Sequence, residues 1–296
     1  MSSQSAWRHW IEAARPKTLP AAIIPVMVGT ALAAAHRSAD LGKATICLLF
    51  ALLVQIGTNF ANDYFDFVKR ADTAGRVGPR RAVAAGLIAP RTMLLATGLV
   101  LGVAFAVGLL LVREGGWLLL PIGVASILCA LAYTGGPFPL GYRGLGDVFV
   151  FLFFGLVAVD TTFYVQTGGL APDATACAAA IGLLAANILV VNNYRDVETD
   201  ALVGKKTLVV RFGRKFALWQ YALSHVVALL CPLALLLQGY RWPVLLALAL
   251  APWAVWLTRR LALSREPAVQ IALLGATAKY LAVFGTLLSA GLVLAR

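Results

Sequence analysis

Apolar segments of roughly 20 residues recur along this chain, each long enough to cross the hydrocarbon core of a bilayer as a helix. In that solvent every backbone N–H and C=O must be paired within a helix or a closed barrel. The runs are continuous rather than alternating, which specifies helices and argues against a membrane β-barrel. Breaks at Gly, Pro and charge clusters divide the chain into nine predicted spans, near 19–36, 44–62, 92–112, 117–134, 146–166, 172–193, 216–238, 243–258 and 268–294. With 60% hydrophobic and 13% charged residues, the chain is expected to be an integral, all-α membrane protein. It reads as one domain over 1–296, a bundle of nine transmembrane helices around a central cavity. Residues 1–18 carry Trp7, Trp10 and basic side chains before the first span, the pattern of an interfacial helix rather than a cleaved signal.

Lys and Arg set the orientation. Nineteen of them fall in the N-terminal segment and the connections on its side, against five on the other side. The N-terminus is therefore expected in the cytoplasm and the C-terminus outside. This topology, with attraction to anionic membrane lipids, accounts for the net charge of +12 without a nucleic-acid partner. Cys47, Cys129, Cys177 and Cys231 all lie in apolar runs without metal-ligand spacing, so they read as small buried hydrophobes.

Two acidic stretches stand out at the cytoplasmic ends of spans. One runs from Asn59 through Asn62, Asp63 and Asp66, with Asp72 beyond; the other contains Asn192, Asn193, Arg195, Asp196, Glu198 and Asp200. Together they hold six of the chain's thirteen acidic residues. Residues three and four apart share a helix face, so each set forms a stripe. Asn62 and Asp66 are spaced like Asn192 and Asp196, a faint sign of two related halves. Two such stripes facing one cavity, open to the cytoplasmic side, would repel unless cations sat among them. Mg²⁺ suits hard oxygen ligands shared between a few carboxylates and substrate phosphates. The bland reading, loop acids paired with nearby Arg and Lys, explains one such Asp better than two dense clusters.

Basic residues follow each stripe. Arg76, Arg80 and Arg81 lie in a Gly- and Pro-containing loop, and Lys205, Lys206 and Arg211 follow Gly204. Each alone reads as a topology signal; together they offer forks and point charges for phosphate oxygens. Tyr133 reads equally well as a belt residue or as a contact for substrate. Lys279, near the middle of the last run, either snorkels, pairs with an acid such as Asp160, or helps hold an acceptor carboxylate. Asn187 and Gln55 either line the cavity or bond between helices, and His9, His36 and His225 receive no role.

The strings Asn62-Asp63-Tyr64-Phe65-Asp66 with Asp72, Gly78-Pro79-Arg80-Arg81-Ala82-Val83 with Gly86, Tyr133-Thr134-Gly135-Gly136-Pro137, and Asn193-Tyr194-Arg195-Asp196 with Asp200 and Gly204-Lys205-Lys206-Thr207-Leu208 resemble the UbiA superfamily of intramembrane aromatic prenyltransferases. Within it they are most similar to the menaquinone-pathway branch. The resemblance runs from about Ala14 to the last span. It implies Mg²⁺ held by Asp63, Asp66, Asp72, Asp196 and Asp200, and diphosphate contacts from Asn59, Arg80, Arg81, Lys205, Lys206 and Arg211. Asp66, Asp196, Arg81, Lys205 and Tyr133 would carry the chemistry. The implied substrates are a polyprenyl diphosphate and 1,4-dihydroxy-2-naphthoate. One departure is visible: Arg70 stands where members of this branch often have Gly. A sister prenylation, of 4-hydroxybenzoate, heme or chlorophyll precursors, would share the metal motifs. A secondary transporter would instead gather its polar groups near the midplane, and a membrane scaffold would leave the acidic clusters unexplained.

Overall fold

The structure, a computed structural model, describes residues 3–71 and 80–295, with side chains from Trp7 onward. The predicted Asp72, Arg76, Gly78 and Pro79 lie outside the described residues. Among the described residues all the regular structure is helical. α1 (Ser3–Ala14) turns at Arg15 into α2 (Pro20–Ala35), followed by α3 (Leu41–Val68), α4 (Pro90–Gly115) and α5 (Leu119–Ala132). A third long path, α6 (Gly146–Phe151) to α7 (Thr161–Thr167), is wound as a π-helix over Leu152–Asp160. Then come α8 (Pro172–Arg195), the short α9 (Val197–Leu202), α10 (Leu208–Leu237), α11 (Ala251–Leu263) entered through the 3₁₀ stretch Trp242–Leu250, and α12 (Pro267–Leu294).

Each of the nine predicted apolar runs carries helix, but not all are equal. Among the described residues seven helices are long and apolar enough to cross a bilayer alone, and eight if the bent pair Trp7–Thr18 and Pro20–Ala35 counts as one. The ninth, α5, has only 14 residues. At 1.5 Å per residue it reaches about 21 Å, short of a ~30 Å core. The helix gives way after Tyr133 to the turns of Thr134-Gly135-Gly136-Pro137, and Tyr133 and Thr134 join the cavity lining.

α8 is the axis of the bundle: 67% of its apolar window is buried, against 22% for the peripheral α4. It packs on α10, the π-helical stretch, α12 and α6. Small residues permit this, since a Cβ on Gly155 of the π stretch would sit 2.5 Å from the carbonyl oxygen of Ala178 on α8. At the end of the bundle opposite the acidic motifs, His36 Nε2 and the Tyr240 hydroxyl both meet Asp173 Oδ2, at 2.7 and 2.5 Å, and tie three elements together. His36 therefore has an acidic partner, 137 residues away in sequence. All four cysteines are free thiols, three of them buried. Lys279 is exposed on the outer side of α12 and pairs with no acid among the described residues, while Asp160 meets Thr175 instead.

Candidate active site

α3 has 28 residues, about 42 Å, so its last turns extend past an apolar core while its polar residues stay on the inward stripe. Gln55, Asn59, Asn62, Asp63 and Asp66 are all buried along it. They do different work. Gln55 and Asn59 donate to the Thr18 hydroxyl at 3.1 and 3.2 Å, and Asn59 also donates to the Ala14 carbonyl at 2.9 Å. These bonds pin the elbow where Arg15 takes the left-handed φ of 52°. Asn62 accepts from the Thr134 hydroxyl at 2.8 Å. Asp63 accepts the backbone N–H groups of Ala82 and Val83 at 3.0 and 3.2 Å, which anchors the basic loop to the helix. Asp66, last in the stripe, receives Arg81 Nη2 at 2.9 Å on one oxygen and the Tyr142 hydroxyl at 2.8 Å on the other.

The end of α8 is organised more locally. Arg195 donates through Nε and Nη2 to the two oxygens of its neighbour Asp196, both at 2.6 Å, and Nη2 also reaches Asn192 Oδ1 at 2.9 Å. The chain turns at Asp196 into α9, which brings Asp200 beside Lys205 Nζ at 3.4 Å. Burial raises the Asp200 carboxyl above the usual carboxylate range, opposed by Lys205 and reinforced by Asp196 and Asp66. That mutual influence places carboxylates of both motifs in one electrostatic neighbourhood. Burial likewise lowers the Lys69 ammonium, against the attraction of Asp66.

Both helix ends meet at one cavity of about 390 Å³. Its polar end is lined by Asn59, Asp66, Arg81, Tyr133, Asp196, Asp200 and Lys205, together with Arg15 and Tyr142. From there it follows one stripe of α3 through Val54, Ala51 and Phe50 to Cys47, nineteen residues or roughly 28 Å away. Its deep end is apolar, with Val26, Leu111 and Leu119 packed in one cluster with Cys47. Of the predicted site residues, seven thus converge. Asp63 stands behind them under the loop, and Arg80 and Lys206 are exposed outside the lining. Arg211 is also outside; it clamps the loops by donating to the carbonyls of Lys206 at 3.1 Å and Arg143 at 2.8 Å. Sequence reasoning missed Tyr142, and Arg195 as a partner for Asp196 rather than a topology charge. Tyr142 stands nine residues after Tyr133 with no acid beside it in sequence, so only the fold reveals it.

The donor set fits Mg²⁺ in a particular way. Asp66, Asp196 and Asp200 are hard oxygen donors, each at most 9% exposed, and all line the same cavity. Among the described residues no three His, Cys, Asp or Glu side chains form a self-sufficient metal cluster. An ion held through one or two carboxylates plus substrate phosphates needs no such cluster.

Carboxylates and fixed cations thus stand at the polar end of a long apolar cavity. The chain belongs to the UbiA prenyltransferase family, whose model matches residues 22–294. It is 42% identical over 209 residues, 71% of each chain, to a 1,4-dihydroxy-2-naphthoate octaprenyltransferase of Mycobacterium tuberculosis. An enzyme of the same name from Bacillus subtilis is 33% identical over 281 residues, covering 95% of this chain and 90% of that one. Among solved structures, a UbiA homologue from Archaeoglobus fulgidus bound to GPP and Mg²⁺ shares the fold with a TM-score of 0.69, at 17% identity over 95% of this chain and 99% of that one.

Proposed function

We propose that this protein transfers a polyprenyl group from polyprenyl diphosphate to 1,4-dihydroxy-2-naphthoate with loss of the carboxylate, giving demethylmenaquinol. The observation that carries the reading is the convergence of Asp66, Asp196, Asp200, Arg81 and Lys205 at the polar end of an apolar cavity. The names of the relatives support the acceptor. Asp66, Asp196 and Asp200, with Asp72 from the first motif, would hold Mg²⁺, which supplies positive charge to the leaving diphosphate when bound. Arg81 and Lys205 add fixed positive charge at the same place, where it stabilises charge developing on the departing oxygens. The apolar cavity takes the tail and keeps water from the allylic cation. Tyr133, on the wall near the acids, faces the region where cation and acceptor meet. Asn59, Asp63 and Arg211 support this set by holding the elbow and loops, and the exposed Arg80 and Lys206 would add positive charge outside the lining.

The fold is read as nine membrane-crossing segments, with the short α5 among them and residues 1–18 on the membrane surface, forming one domain. The polar end opens to the cytoplasm, the N-terminus lies inside and the C-terminus outside, in the bacterial plasma membrane. Purified protein with Mg²⁺, a polyprenyl diphosphate and either 1,4-dihydroxy-2-naphthoate or 4-hydroxybenzoate, with product read by mass, tests the assignment. Prenylated, decarboxylated naphthalenediol is expected; product from 4-hydroxybenzoate alone would overturn the acceptor.

A further inference from the structure

One side chain touches both motifs without belonging to either. Tyr142 donates its hydroxyl to Asp66 Oδ1 at 2.8 Å, and its ring centroid lies 4.9 Å from Lys205 Nζ and 5.0 Å from Lys69 Nζ. The residue is itself held. Its carbonyl accepts the Lys206 N–H at 2.8 Å, and Lys69 Nζ is tied at 2.6 Å to the carbonyl of Thr134 on the Tyr133 string. The turn that delivers it requires glycine: Gly144 has φ 78°, and a Cβ there would lie 2.6 Å from the Lys206 carbonyl oxygen.

We propose that Tyr142 is a positioning residue for the prenyl transfer: its hydroxyl fixes the plane of the Asp66 carboxylate toward the metal, and its ring seats Lys205 toward the diphosphate. The inference rests on the metal-diphosphate reading above. A carboxylate oxygen that accepts one hydrogen bond keeps a further lone pair for a cation. Such supporting bonds orient ligands, and their loss commonly weakens metal binding by about 10–100-fold. An ammonium over an aromatic face is held by the ring quadrupole at an exposed site by an amount corresponding to about two- to fivefold in a binding constant. The two functions are separable because one needs the oxygen and the other the ring.

The test uses Mn²⁺ as the metal probe, with free Mn²⁺ read by electron paramagnetic resonance, in full-length protein holding a thiolo-diphosphate prenyl analogue that does not ionise. Tyr142→Phe is expected to weaken Mn²⁺ binding by about tenfold while leaving KM for the prenyl diphosphate near wild type. Replacing Tyr142 by phenylalanine with one, two or three ring fluorines preserves the shape and drains the ring face. KM for the prenyl diphosphate is then expected to rise stepwise to about two- to fivefold. Thermal unfolding in detergent checks that each variant is folded. Unchanged Mn²⁺ affinity in Tyr142→Phe, with wild type binding normally, overturns the hydroxyl role; a flat fluorine series overturns the ring role. Absence of Mn²⁺ binding by wild type would instead defeat the metal-diphosphate reading on which the inference stands.

Discussion

The ends of α3 and α8 carry the same spacing of Asn and Asp yet are held in opposite ways. Asp66 is fixed by Arg81 and Tyr142, 15 and 76 residues away, and Asp63 by backbone 19 and 20 residues on. Asp196 is fixed by its own neighbour Arg195, and Asp200 by Lys205 five residues later. The α3 end is thus a tertiary assembly that exists only when the loops are docked, whereas the α8 end is built from adjacent residues. The partners also differ in access. Arg81 has 9% side-chain exposure and lines the cavity; the Arg195 side chain is 1% exposed and absent from the lining. On the proposed function, Arg81 would exchange Asp66 for an incoming phosphate, while Arg195 would stay with Asp196 as a buried counter-charge.

The largest effect expected from this contrast is on stability. Arg195→Met strands the Asp196 carboxylate in a buried site and should cost about 3–5 kcal/mol, since removing one partner of a buried pair leaves an uncompensated charge. Arg81→Met removes one partner of a carboxylate that keeps the Tyr142 hydroxyl, so it should destabilise less than Arg195→Met, read as a smaller fall in thermal unfolding temperature in detergent, and also raise KM for the prenyl diphosphate. Equal destabilisation by the two variants would erase the distinction.

Next in size, Asp66→Asn and Asp196→Asn should each lower kcat by about a hundredfold or more, because one ligand contributes on the order of 3 kcal/mol of transition-state stabilisation. Wild-type rates in either folded variant would separate that motif from the reaction. Metal affinity should also fall with acidity. Burial raises the Asp200 carboxyl, so its protonated form is favoured at a pH where an ordinary aspartate is ionised. A ligand must be deprotonated, so binding releases that proton. Mn²⁺ affinity should therefore weaken as pH drops through the raised Asp200 range, by up to about tenfold per pH unit for one released proton. Asp200→Asn should bind more weakly and flatten that slope; an unchanged slope would exclude Asp200 from the metal site. The smallest effect concerns the loop after α3. Arg70 has φ 55°, a left-handed conformation costing an L-residue about 1–2 kcal/mol. Arg70→Gly should recover about 1 kcal/mol, read as a small rise in unfolding temperature.

Most of the bundle was legible because hydropathy alone places helices in a solvent that forbids unpaired backbone. The nine apolar runs all carry helix, and both acidic stripes sit where their spacing put them. What hydropathy does not encode is length at the ends of elements. α3 continues to Val68, six residues past its predicted end, because its polar stripe faces protein and carries no bilayer penalty. α5 stops short for the converse reason, giving its last residues to the cavity wall. Local pairings at the α8 end were within reach of sequence, since Arg195 adjoins Asp196, although inner-face charge disguised it. Tyr142 on Asp66, and His36 on Asp173 137 residues away, were not, because no local pattern links residues so distant. Arg70, visible in sequence only as a departure from glycine, holds φ 55° at the end of α3, a backbone state that the departure did not specify.

The central claim is that these two differently built helix ends serve one metal-diphosphate site. A structure determined with Mg²⁺ and the non-ionising prenyl diphosphate analogue tests it most directly. The account predicts metal within about 2.1 Å of carboxylate oxygens contributed by both Asp66 and the Asp196–Asp200 pair, the diphosphate bridging them, Arg81 moved from Asp66 to phosphate, and the tail along the α3 stripe toward Cys47. Metal or diphosphate bound at only one helix end, with the other set of acids still in its present pairings, would contradict it.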